Sequence, residues 1–70
     1  MRLAWFAQHR LEWIAESLRV YGFINRSHLV RRFGVSVPTA SKDLQTFVAR
    51  YPKRVEYDAS AKCYKRRRTS

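Results

Sequence analysis

A mainly α fold, three helices closed by a small β-hairpin, is the class this sequence predicts. Three observations predict it. Apolar residues recur with helical period from Leu3 to Arg50. Gly22, Gly34 and Pro52 punctuate that pattern. Beyond Pro52 the period switches to alternation, which is the mark of strands.

The first helix is expected from Leu3 to about Val20, a stretch without Gly or Pro. Leu11, Ile14, Ala15, Leu18 and Tyr21 fall on one face, and Gly22 follows as a stop. Phe23-Ile24 reads as a short extended segment, and Asn25 suits the N-cap of a second helix over Arg26–Phe33. Leu29, Val30 and Phe33 form its inner face, and Gly34 ends it. Ser36 caps a third helix from about Val37 to Arg50, with Pro38 tolerated in the first turn because its missing N–H would be unpaired there. Ala40, Leu44, Phe47 and Val48 face inward. Arg54–Tyr57 and Lys62–Lys65 then alternate around a turn-like Asp58-Ala59-Ser60-Ala61. A lone hairpin is marginal in water, so this one is expected to pack, with Tyr57 and Tyr64 over the helices. The domain is expected over 1–65, and 66–70 as a basic, disordered tail.

At 70 residues there is room for one small core, and 46% apolar with 14% aromatic residues points to a folded domain. Cys63 is the sole cysteine, which excludes an internal disulfide and favours a reducing setting. No apolar run is long enough to cross a bilayer and no signal-peptide pattern is present, so a cytoplasmic location is expected. Fifteen Lys and Arg against five Asp and Glu leave +10, well beyond what solubility requires. Such a field attracts polyanions.

Two short helices joined by a Gly-containing turn make a helix-turn-helix, and a following hairpin makes it a winged helix-turn-helix. In that arrangement the second helix of the unit, here about 37–50, enters the major groove of DNA. With Ala40, Leu44 and Phe47 inward, Thr39, Lys42 and Thr46 face outward, flanked by Pro38 and Gln45. Gln pairs with adenine, Lys reaches guanine or phosphate, and Thr methyls touch thymine methyls. Any solvated helix can carry such residues, but the preceding turn and the charge favour DNA contact. Ser36 can both cap the helix and hold a phosphate, and Arg26 is the expected backbone contact of the second helix. From Arg50 to Arg68 there are eight Lys or Arg against Glu56 and Asp58. Lys62 near the wing tip, with Lys65 and Arg66 beginning a basic arm, is expected along phosphates or in the minor groove.

Catalysis finds no support. Cys63 has no His near it in sequence, His9 and His28 are isolated, and no Gly-rich phosphate loop is present. No metal or cofactor is expected. Glu12 and Glu16 are read as partners of Arg10 and Arg19, and Asp43 as orienting a neighbouring basic side chain.

The stretch "GFINRSHLVRRFGVSVPTASKDLQTF" resembles the DeoR-type winged helix-turn-helix. "GVSVPTASKDL" followed by "YDASAKCY" more closely resembles the N-terminal domain of WYL-domain transcriptional regulators, including those of bacterial and phage defence loci. The likeness spans roughly residues 10 to 65. It implies a sequence-specific DNA-binding dimer, usually a repressor at an inverted repeat. By motif position it assigns base reading to Thr39, Ser41, Lys42 and Gln45, and phosphate contact to Ser36 and Arg26. The helical wheel agrees for Thr39, Lys42 and Gln45 but sets Ser41 nearer the core. Those regulators continue into a ligand-sensing domain and a dimerising region. This chain is therefore expected to be either an isolated domain or a stand-alone small regulator.

Trp5, Phe6 and Trp13 exceed what the first helix's inner stripe needs. Two readings stand: a homodimer contact matching a two-fold operator, or cover for a larger core. The functional expectation is a sequence-specific DNA-binding transcriptional regulator, a repressor or autoregulator. The alternatives are a protein-interaction adaptor and a DNA-bending, excisionase-like architectural factor.

Overall fold

The computed structural model describes residues 2–67, and side chains from residue 5 onward. Helix α1 (Arg2–Tyr21) leads into strand β1 (Phe23–Ile24), helices α2 (Arg26–Phe33) and α3 (Val37–Arg50), and strands β2 (Val55–Asp58) and β3 (Cys63–Arg66). Helices therefore occupy the stretches their periodicity predicted, within a residue at each end.

The caps explain that agreement. Gly22 adopts φ +82° and its N–H donates to Leu18 O at 3.0 Å, closing α1. At α2, Asn25 Oδ1 accepts the His28 N–H at 3.3 Å, while Asn25 N–H donates to His28 Nδ1 at 3.2 Å. This is a capping box with His in the place usually held by Glu or Gln. Gly34 takes the left-handed conformation at the other end, its N–H bonded to Val30 O at 2.8 Å. At α3, Ser36 Oγ accepts the Thr39 N–H at 3.3 Å, with Pro38 in the first turn. Helix α3 stops at Arg50, short of Pro52, with Tyr51 N–H donating to Phe47 O at 2.9 Å.

The core is Leu11, Ile14 and Leu18 of α1, Ile24 of β1, Leu29 of α2, Ala40, Leu44 and Phe47 of α3, and Val55 of β2. Each large side chain fully removed from water contributes about 1.5–3 kcal/mol, so these few residues hold a chain of this size together. Tyr21, expected to extend the inner stripe, is instead 71% exposed. The chain reverses at Gly22 directly after it, so the core ends at Leu18.

The sheet holds more than the predicted hairpin. All pairings are antiparallel and the strand order is β1-β3-β2, with Ile24 opposite Tyr64 and Tyr57 opposite Tyr64 on the other side. Phe23-Ile24 therefore adds a third strand, and Gly22 O accepts the Arg66 N–H at 2.8 Å. This extra pairing, together with buried Ile24 and Val55, ties the hairpin to the helices. Both hairpin strands begin one residue later than alternation suggested. Tyr64 packs against the core, whereas Tyr57 is 55% exposed and borders a cleft shared with residues of α2 and α3. Val55 and Tyr57 share a face of β2, but Val55 sits at the base of the hairpin and Tyr57 reaches toward its tip. Arg66, expected in the tail, closes β3, and Arg67 N–H donates to Arg54 O at 2.9 Å. Arg68, Thr69 and Ser70 lie outside the described residues.

At the wing tip, Asp58 Oδ1 accepts the Ala61 N–H at 3.0 Å and Lys62 takes φ +54°. A lysine in that region is disfavoured because its Cβ crowds the backbone. Lys62→Gly is expected to raise stability by about 0.5 kcal/mol, the relief of crowding outweighing glycine's entropy cost. An unchanged or lower urea midpoint would contradict this.

Candidate nucleic-acid interface

A cleft of about 190 Å³ opens where the start of α2, the outer side of α3 and the wing meet. It brings together four of the residues singled out in the sequence: Arg26, Ser41, Gln45 and Lys62. Arg26 Nη1 donates to Ser41 Oγ at 3.4 Å, linking α2 to α3 across it. Ser41 is half-buried, in keeping with its position near the core side of the wheel. Leu44 and Tyr64 supply apolar floor, and Asn25 and Tyr57 line it as well. The Tyr57 and Tyr64 rings lie 4.9 Å apart, tilted at 59°.

Along α3, Lys42 and Gln45 are exposed, while Thr39 and Thr46 are half-buried. Thr39 Oγ1 accepts from Ser36 Oγ at 3.0 Å, so its hydroxyl is already engaged at the cap. Ser36 and Pro38 stand exposed at the N-terminus of the same helix. Lys65 and Arg66 are not in the cleft. Lys65 Nζ pairs with Asp58 at 2.7 Å, and Arg66 Nη1 donates to Arg19 O, near the end of α1, at 3.2 Å.

The distribution of acids sharpens the site. Glu16 pairs with Arg19, Asp43 with Arg10, Glu56 with Arg67 and Asp58 with Lys65. The fifth, Glu12, lies 4.0 Å from His9. No carboxylate lines the cleft, and Arg26, Lys42 and Lys62 have no acidic partner among the described residues. Arg26, Lys42 and Lys62 therefore leave positive charge uncancelled on exposed parts of α2, α3 and the wing. Hydrogen bonding from Lys65 holds the Asp58 carboxyl below its ordinary value, and Asp58 in turn raises Lys65. A lowered carboxyl stabilises above its unfolded value and loses that contribution only as pH falls through the lower folded one. A raised amine loses its contribution only as pH rises through the higher folded one. The wing-tip pair therefore persists across the neutral range. Glu16 is lowered by its hydrogen bond from Arg19 in the same way.

Arg10 corrects one expected partnership. It reaches Asp43 on α3, with Nη2 to Oδ1 at 3.3 Å and a second bond from Nε to Oδ2, and not Glu12 on its own helix. Asp43 is buried beside Lys42 in sequence, so the pair fixes α3 against α1 at the level of its exposed face. Trp13 is half-buried, edge-on to Phe33 at 5.4 Å, and covers the core. Trp5 and Phe6 remain 61% and 50% exposed.

Cys63 is a free, buried thiol, and no group of His, Cys, Asp or Glu able to hold a metal occurs among the described residues. No helix of the described residues is long and apolar enough to cross a membrane.

Asn25 and Tyr57 were missed as cleft residues. Alternation put Tyr57 and Tyr64 over the helices, but not which residues of α2 and α3 they would meet there.

Two relatives carry the name DNA-binding transcriptional repressor CapW. The one from Escherichia coli (strain KTE188) is 46% identical over 61 residues, which is 87% of this chain and 20% of the relative. The one from Pseudomonas aeruginosa is 43% identical over the same shares. The chain thus spans about a fifth of the length of the curated relatives it matches. Residues 7–69 match the family model of the BrxR transcriptional regulator winged helix-turn-helix domain, and the chain belongs to that family.

Proposed function

We propose that this chain is the DNA-reading part of a transcriptional repressor, of the DeoR-like type found in WYL-domain regulators, and that it acts by occluding a promoter. The observation that carries the reading is Gln45 of α3, exposed between Arg26 and Lys62 in a cleft lined by no carboxylate, with Lys42 exposed on the same helix. Helix α3 enters the major groove, where Lys42 and Gln45 read base edges and Ser41, Thr39 and Thr46 line the approach. Ser36, Pro38 and the N-terminus of α3 face one phosphate run, Arg26 and Lys62 another. Lys65 and Arg66 stiffen the wing through Asp58 and Arg19, and contribute to the field around the backbone.

Selection of bound fragments from random duplex at about 150 mM salt tests this, because specific binders exceed their own non-specific affinity by at least about 10³. Recovery of one enriched motif is expected, and recovery of unenriched sequence overturns the reading. Arg26→Ala is expected to weaken all duplexes alike and to lower the salt slope by about 0.9, the signature of one lost phosphate contact. A change in sequence preference would instead make Arg26 a base reader.

The exposed Trp5 and Phe6 support a two-fold complex with the N-terminal part of α1 as its contact. Sedimentation is expected to show two chains per selected site. Trp5→Ser with Phe6→Ser is expected to leave one chain bound, and a wild-type complex with one chain would remove this contact from the account.

A further inference from the structure

A second groove, sharing no residue with the cleft of α3 and the wing, runs between α1, β1 and α2. It measures about 430 Å³, and its lining is mostly apolar. Trp13, Tyr21 and Phe23 form its walls, and Tyr21 and Phe23 stand largely in solvent although nothing in the core or the DNA reading uses them. Its rim carries Arg31 and Arg32, both exposed and both without a carboxylate partner among the described residues. His28 also lines it, 5.7 Å from the Phe23 ring. The capping box uses His28 Nδ1 as acceptor, which puts the imidazole proton on Nε2 as a further donor. Arg31, Arg32 and His28 thus offer donors at the groove, beside the Ser17 and Tyr21 hydroxyls.

We propose that this groove seats an acidic peptide segment of a partner protein, one that inserts a bulky apolar side chain between Tyr21, Phe23 and Trp13 and sets carboxylates against Arg31 and Arg32. Duplex DNA fits it poorly. Its phosphates satisfy the guanidiniums, but its bases are paired and stacked, and the sugar-phosphate backbone it presents has no large apolar group to fill an aromatic hollow. A free small molecule fits it poorly too, because such ligands bury most of their surface and these walls are open. An amphipathic segment meets both demands, with its anchor in the hollow and its acids on the rim. The groove and the DNA cleft share no lining residue, although Asn25 of the cleft is hydrogen-bonded to His28 of the groove, and under this proposal the segment and the duplex are bound together.

The test is amide and indole NMR of the whole chain at about 150 mM salt, where long-range charge attraction is screened. The probes are three synthetic peptides of about twelve residues with one central Leu-Trp anchor, flanked at identical positions by Glu, Gln or Lys. Saturable shifts at Trp13, Tyr21, Phe23 and His28 are expected with the Glu peptide. It should bind about tenfold more tightly than the Gln peptide, since each of two exposed ion pairs contributes a few-fold. Arg31→Ser with Arg32→Ser should erase that preference and leave the fold intact, and Tyr21→Ala should weaken all three peptides. Adding random duplex should leave the peptide bound. Absence of saturable shifts, equal binding of the Glu and Lys peptides, or shifts centred on Arg26, Gln45 and Lys62 would overturn the proposal. So would equally tight binding of 1-naphthylacetate, which would give the groove to a small ligand. Concentration-dependent shifts at the same residues without peptide would give it to a second copy and overturn it as well.

Discussion

Asp43→Ala should destabilise the domain by about 3 kcal/mol, because it strands the Arg10 guanidinium in a place built for a carboxylate. The side chains of Arg10 and Asp43 are only 16% and 9% exposed, so water replaces the lost partner poorly. In a domain this small that loss lowers the melting midpoint by on the order of 15 °C. Removing both charges is a different experiment. Arg10→Met with Asp43→Leu substitutes apolar packing for a desolvated pair and should recover most of the stability, since such replacements are often neutral or better. The function of the pair lies in position: it joins α1 to the turn of α3 that carries Lys42. The double variant should therefore fold yet read DNA less sharply. A midpoint for Asp43→Ala within a few degrees of wild type would show that the pair is solvated and holds nothing.

That pair also marks the limit of sequence reading. The helices were legible because local chemistry specifies them: Asn25 and Ser36 cap, Gly22 and Gly34 take positive φ, and the apolar stripes of α1 and α3 select their own inner faces. Arg10 and Asp43 are 33 residues apart, and local spacing favoured Glu12 over Asp43 as the partner. The same reason hid the third strand. Phe23-Ile24 is too short to show a period, and its partner lies at the far end of the chain. Tyr57 and Asn25 were omitted from the cleft because they lie far from α3 in sequence and border it together only in the folded chain. By contrast Lys42 and Gln45 were legible, since a helical wheel with Ala40, Leu44 and Phe47 inside leaves them outside.

Lys42→Ala combined with Gln45→Ala carries the second large effect, on specificity and not on stability. Both positions are exposed in mid-helix, where Ala is a good helix former, so the unfolding midpoint should stay within about 0.5 kcal/mol of wild type. Each good base contact discriminates by about 1–3 kcal/mol, so losing two removes on the order of a hundredfold of preference. Arg26, Lys62 and the remaining basic surface are untouched, so affinity for arbitrary duplex should fall only by the one phosphate-strength charge that Lys42 carried.

The measurement that tests this most directly is the ratio of affinities for a selected duplex and its scrambled counterpart, at one salt concentration, for wild type and the double variant. Helix α3 as the reader predicts a large ratio for wild type that collapses toward one in the variant. An unchanged ratio, with both affinities lowered together, would contradict it.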